Sequence, residues 1–334
     1  MSPARFVDAD DGVRLHVELE PAVGSTAAPR PTLVLCHGYT LDRRCWTSQR
    51  RALSQAGYPV VVWDQRGHGR SGTGEASSYS IDQLGRDLAA VVEEVVPAGP
   101  VVLVGHSMGG MAIMAMAGQG HHDVLARVVA VAFLDSSAGD LHRVDWGLGA
   151  LVGGWVNRHG PTVTAGLAPH QRRVRAAFAR YPWLVTPVVA ASSFGSRVSP
   201  EVARLTARMM LDTDFTVTAE FAPTLTAHDQ RGAVSALAHL PALVMVGDRD
   251  VLTPPDHSDD LARSLPLATH VVVSRAGHIM MLEHPELVND RLLAWCRSVE
   301  DPPKWRAVNA GVPQRAVDLR PGRGRAALTT GRPT

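Results

Sequence analysis

Three side chains far apart along the chain have the types needed to cut an acyl bond. Ser107 sits in Gly105-His106-Ser107-Met108-Gly109-Gly110, between an apolar run at residues 101–104 and a helical pattern at 111–117. A strand-to-helix turn this tight forces the serine into an unfavourable backbone conformation, and the flanking glycines remove side chains that would strike the crossing backbone. The hydroxyl is then held at a helix N-terminus, where unpaired amides favour a developing anion. An alcohol needs a base near pH 7, and the base needs an orienting carboxylate. His278 directly follows the last apolar run, in Val271-Val272-Val273-Ser274-Arg275-Ala276-Gly277-His278. Asp250 follows the run before it, in Gly247-Asp248-Arg249-Asp250-Val251-Leu252-Thr253-Pro254, and is read as the orienter with Asp248 as the alternative. Both lie where open α/β sheets collect ligands, at the carboxyl ends of strands.

Such groups need rigid elements to hold them. Residues 12–20 alternate as an edge hairpin strand, and 32–35, 60–63, 101–104, 128–134, 242–246 and 270–273 are short β-branched runs of the kind buried on both faces. Helical patterns separate them. The clearest starts at Ser80, which can cap a helix with Gln83 three residues on, places Leu84, Leu88, Val91, Val92 and Val95 on one face, and stops at Pro97. This alternation predicts an α/β fold, a mostly parallel central sheet with helices on both faces. The rhythm breaks over 136–238, read as a helical cap inserted after the sixth strand, so that residues 1–135 and 239–300 form the two parts of the core. Residues 301–334 are rich in Pro, Gly and Arg and read as a basic, flexible tail.

Taken together, these motifs resemble the α/β-hydrolase family over roughly residues 12–298. The resemblance is carried by His37-Gly38-Tyr39 after the third strand, Asp64-Gln65-Arg66-Gly67-His68-Gly69-Arg70-Ser71 after the fourth, the Ser107 turn after the fifth, the Asp250 loop, and Gly277-His278. It implies an oxyanion hole from the backbone N–H groups of Tyr39 and Met108, and a helical lid after the sixth strand. Some members carry the acid after that strand, where Asp135 stands. Serine occupies the position where epoxide hydrolases and haloalkane dehalogenases carry aspartate, which argues against those chemistries. The expectation is a serine hydrolase of a carboxylic ester with an apolar acyl group, acting through an acyl-enzyme. Carbon–carbon bond hydrolases of ring-cleavage products, cofactor-free perhydrolases, thioesterases and lipases share the implied triad. A ligand receptor with a silent triad is the reading from a different class.

The lid's aromatic residues suggest an apolar pocket, with Trp146 and Trp155 above and Met280 and Met281 below as lining candidates. Arg172, Arg173 and Arg175 keep a carboxylate-bearing ring-cleavage substrate in play. His106 is read as a packing residue, His37 and His68 as loop organisers, and His121-His122-Asp123 as a solvated loop without a third metal ligand. No metal or cofactor is expected. The chain has 334 residues, 45% apolar and 19% charged, the composition of a globular protein. A net charge of +1 offers no global field for nucleic acid. Cys36, Cys45 and Cys296 are too few and too scattered for a disulfide framework or a zinc site. With a charged first twenty residues and no membrane span expected, the reading is a cytoplasmic protein acting on a small molecule, its oligomeric state open.

Overall fold

The computed structural model describes residues 4–24, 30–144 and 150–300, so the expected tail lies outside the described residues. The strand expected over 12–20 is β2 (Arg14–Glu20), and a further strand, β1 (Ala4–Asp8), precedes it and pairs with it antiparallel. They are joined through Gly12, whose φ of +83° only glycine adopts readily. Six more strands follow: β3 (Thr32–Cys36), β4 (Val60–Trp63), β5 (Val101–His106), β6 (Val128–Leu134), β7 (Ala242–Gly247) and β8 (Ala268–Val273). The sheet order is β1-β2-β4-β3-β5-β6-β7-β8, antiparallel where β2 meets β1 and β4 and parallel from β4 to β8.

Parallel neighbours cannot be joined by tight turns, so helices carry the chain back. The first are α1 (Thr47–Gln55), α2 (Ile81–Val95), α3 (Met108–Gly118) and the single turn α4 (His122–Leu125). Between β6 and β7 lie α5 (Ala150–Leu167), α6 (Gln171–Arg180), α7 (Pro182–Ser193), α8 (Pro200–Asp212), α9 (Phe215–Thr226) and α10 (Arg231–Val234). Then come α11 (Pro255–Ser264), α12 (Met280–Glu283) and α13 (Pro285–Glu300). Ser80 caps α2 by accepting the Gln83 N–H at 3.1 Å, while the Gln83 side chain turns away to Asp10 and Asp87.

Strand alternation divides the core into two layers. Val34, Val61, Leu103, Val131 and Val244 face α2 and α3. Leu35, Val62, Val104, Ala132 and Met245 face α1 and α13. The edge strand β8 departs from the expected two-sided burial: it pairs only with β7, and only Val271 and Val273 are buried.

Candidate active site

Ser107 follows β5 and begins α3 with φ +51° and ψ −121°, a conformation that costs a residue with a Cβ about 1–3 kcal/mol. The surroundings over-determine it. Its N–H donates to the Leu134 carbonyl at 3.0 Å, and its carbonyl accepts from Gly110 N at 2.8 Å, Met111 N at 3.2 Å and the Ser136 hydroxyl at 2.9 Å. A Cβ at Gly105 would come within 2.5 Å of Gly110 Cα, and one at Gly109 would strike the Cys36 carbonyl. The glycines let β5, α3 and the end of β3 approach closely enough to aim the hydroxyl outward.

His278 and Asp250 reach the same place from the ends of β8 and β7. His278 Nδ1 lies 2.8 Å from Asp250 Oδ2. A carboxylate only accepts, so Nδ1 carries the proton and Nε2 is left as the acceptor. Asp250 is itself held: Oδ1 accepts the N–H groups of Leu252 at 2.8 Å and Thr253 at 3.0 Å, and Oδ2 accepts the Thr253 hydroxyl at 2.7 Å. Burial raises its pKa, but the charge and hydrogen bond of His278 and the bonds from Thr253 outweigh that and hold the carboxyl below its ordinary range. Thr253 is a site residue that the sequence reading quoted without singling out; a hydroxyl three residues after a loop aspartate was the available signal.

The two other acids stand elsewhere. Asp248 accepts the Arg275 N–H at 2.6 Å, whereas the carboxylate bonded to His278 is that of Asp250. Asp135 is fully buried and accepts the Gly247 N–H at 2.9 Å. Burial, and then the neighbouring Asp250 charge, push its pKa well above the ordinary carboxylate value.

His106 does more than fill space. Its Nε2–H donates to the backbone carbonyl of His278 at 2.7 Å, with the two rings 4.9 Å apart. Burial, then the nearby His278, lower its pKa to about 3, so it acts as a neutral donor. His37 and His68 organise the neighbouring loop. His37 Nε2 accepts Gln65 N–H at 2.8 Å, and His68 Nε2 accepts Thr40 N–H at 3.1 Å. Only neutral imidazoles can accept at these positions, and burial lowers the pKa of both, that of His68 to about 3. The loop they fix carries Tyr39. Among the described residues, neither the Tyr39 nor the Met108 N–H has a protein acceptor.

Ser107, His278 and Tyr39 line one cavity of about 390 Å³. Leu41, Leu141, Met210, Leu225, Leu252 and Ile279 supply apolar wall, and no Asp, Glu, Lys or Arg lines it among the described residues. Three pocket expectations need correction or fall away. Met280 and Met281 are fully buried in the α1–α13 layer, because α12 turns them down and leaves Ile279 at the wall. Trp155 is 58% exposed: α5 lines the cavity with Gly160, Pro161 and Thr164, and at about 100° per residue Trp155 lies opposite Thr164. Trp146 lies outside the described residues.

Comparison with known proteins agrees with this architecture. A family model described as "Alpha/beta hydrolase family" matches residues 33–291. Epoxide hydrolase A of Mycobacterium tuberculosis is 37% identical over 110 residues, 33% of this chain and only 32% of that protein. The sn-1-specific diacylglycerol lipase ABHD11 of Mus musculus is 26% identical over 260 residues, 78% of each chain. The structure of a thermophilic esterase from Thermogutta terrifontis superposes with a TM-score of 0.62 at 25% identity, covering 89% of this chain and 99% of the other. With the family match running through most of its length, the chain belongs to the alpha/beta hydrolase family.

Proposed function

We propose that the protein is a serine hydrolase of uncharged carboxylic esters with apolar acyl groups. The observation that carries this is the 2.8 Å His278–Asp250 bond opening, beside Ser107, onto a cavity that no Asp, Glu, Lys or Arg lines among the described residues. Ser107 Oγ attacks the ester carbonyl as its proton passes to His278 Nε2, while Asp250 holds the Nδ1–H and stabilises the imidazolium. The N–H groups of Tyr39 and Met108 hold the oxyanion. Collapse expels the alcohol with the proton from His278. Water, deprotonated by the same nitrogen, then attacks the acyl-enzyme, releasing the acid and restoring Ser107. In this reading residues 136–238 form a cap over a core of 1–135 and 239–300, supported by α5, α7, α8 and α9 each contributing to the cavity wall.

Two other chemistries fit less well. A serine that opened an epoxide would become an alkyl ether, which has no carbonyl for water to attack, so turnover would stop there. A ring-cleavage product would need a cation for its carboxylate. Arg175 spends its guanidinium on the carbonyls of Leu211 and Asp212, and neither Arg172 nor Arg173 lines the cavity.

With p-nitrophenyl esters from acetate to octanoate, kcat/KM is expected to rise up to about fourfold per methylene until the wall is reached, since a buried methylene contributes about 0.8 kcal/mol. A flat or falling series, with fast turnover of a dienoate ring-cleavage product, would overturn the ester reading. A fluorophosphonate probe should label Ser107, and failure to label would favour a silent receptor.

His106 is proposed as a positioning residue acting through His278. Glutamine can place its amide near the Nε2 donor and phenylalanine cannot. His106→Phe is therefore expected to lower kcat by roughly 10- to 100-fold with KM little changed, and His106→Gln to keep most of it, as the loss of one buried hydrogen bond predicts. Equal losses in both variants would leave His106 a packing residue only.

A further inference from the structure

The helices that wall the cavity carry an outward surface that the hydrolytic chemistry does not use. Trp155, His159 and Val163 recur at intervals of four along α5, with Trp155 directly opposite the cavity-lining Thr164 and the row turning toward Gly160 by Val163. Trp155 is 58% exposed, with its ring 5.2 Å from that of His159, and Val163 and Leu167 are also exposed. On α7, which lines the cavity with Ser192 and Ser193, Trp183 is 68% exposed, and Tyr181 just before the helix is exposed with the Arg180 guanidinium 5.9 Å from its ring. Burying one tryptophan removes a large apolar area from water, so leaving two in solvent on helices that wall a cavity implies a partner.

Charge identifies what kind. Residues 146–200 contain six arginines (Arg158, Arg172, Arg173, Arg175, Arg180, Arg197) and no acidic residue, in a chain whose total net charge is only +1. Arg158, Arg172, Arg173 and Arg180 are exposed. Tryptophan and tyrosine settle at the level of lipid headgroups, where an apolar ring and a polar edge are both satisfied, and arginines beside them are drawn to anionic lipid. No described helix is long and apolar enough to cross a membrane, whereas α5, apolar on one side and bordered by cations, has the form of an element that lies in the interface.

We propose that the outer face of α5 and the α6–α7 corner dock on a lipid surface bearing anionic headgroups. Two of the docked helices, α5 and α7, also wall the cavity, so docking would hold the cavity close to the bilayer. The inference stands on the surface alone, whatever bond the site cleaves.

Co-sedimentation of the full chain with phosphatidylcholine vesicles, with and without about 30% phosphatidylglycerol, tests it. Binding is expected to be at least tenfold tighter to the anionic vesicles and to weaken as salt is raised, because screening shortens the reach of the arginines. Trp155→Ser with Trp183→Ser should weaken it tenfold or more at an unchanged melting temperature. Arg172→Gln with Arg173→Gln, both on an exposed helix face and safe for folding, should weaken it at least fivefold, since each cation near such a surface contributes roughly that factor. The proposal is overturned by equal binding to both vesicle types, by absence of binding, or by wild-type affinity in the arginine pair. It also fails if Arg320→Gln, Arg323→Gln and Arg325→Gln in the tail abolish binding with the helices intact. A dimer in size-exclusion that the tryptophan substitutions split would assign the face to a second copy of the chain instead.

Discussion

Ser107→Ala is expected to lower ester turnover by about 10⁴-fold or more and to abolish fluorophosphonate labelling, leaving only oxyanion binding to assist water. The magnitude follows from the proposed chemistry: without Oγ there is no acyl-enzyme, and water must attack unactivated by a nucleophile of the protein. The fold should not register the change. The hydrogen bonds that fix this residue run through its backbone N–H and carbonyl, which alanine retains. Alanine carries the same strain at φ +51°, so the melting temperature should stay within about 2 °C. A variant keeping more than a tenth of wild-type kcat would remove Ser107 from the nucleophile's role.

The second large effect separates two buried acids that differ in what they hold: Asp250 the His278 ring, Asp135 the Gly247 N–H. In Asp250→Asn the new amide turns an N–H toward His278 Nδ1, forcing that nitrogen to accept and placing the proton on Nε2, where the base is needed. Turnover should fall by about 10⁴-fold. Asp135→Asn should cost less than about tenfold, because Asp135 makes no bond to His278 and an asparagine oxygen can keep accepting the Gly247 N–H. Measuring kcat for both variants decides the matter, and a larger loss at Asp135 would move the orienting acid to the end of β6.

What the sequence disclosed and what it hid divide along a physical line. The Ser107 turn was legible because its constraint is local: a strand, two glycines and a helix must meet within six residues. The two loops bearing Asp250 and His278 were legible for the same reason, each closing a β-branched run. The alternation over 12–20 marks β2 alone; β1, five residues with only Val7 buried, has too little apolar pattern to show in the sequence. The pocket walls were missed where apolar residues surround a helix on every side or where a short turn redirects the chain. Nothing in Ile279-Met280-Met281 says which of the three looks into the cavity; that depends on α12 packing against α1, with Gln49 donating to the Met281 carbonyl at 3.2 Å. Trp155 was assigned inward by its apolar character alone, yet the cavity side of α5 is made of small residues. His106 was legible as buried, but its bond to a carbonyl 172 residues away was not.

The position of β8 at the edge of the sheet bears on how the protein is made. Ser107 and its strained turn belong to the centre of the sheet and are complete once β3, β5 and β6 have paired, while His278 follows the last strand, which docks on β7 alone. During synthesis Ser107 therefore emerges well before His278, the base of the proposed chemistry. Contacts so distant in sequence form late, because the loop between them must be closed first. If the proposed chemistry holds, a nascent or partly folded chain carries the serine without the imidazole, and its reactivity is withheld until β8 has docked on β7.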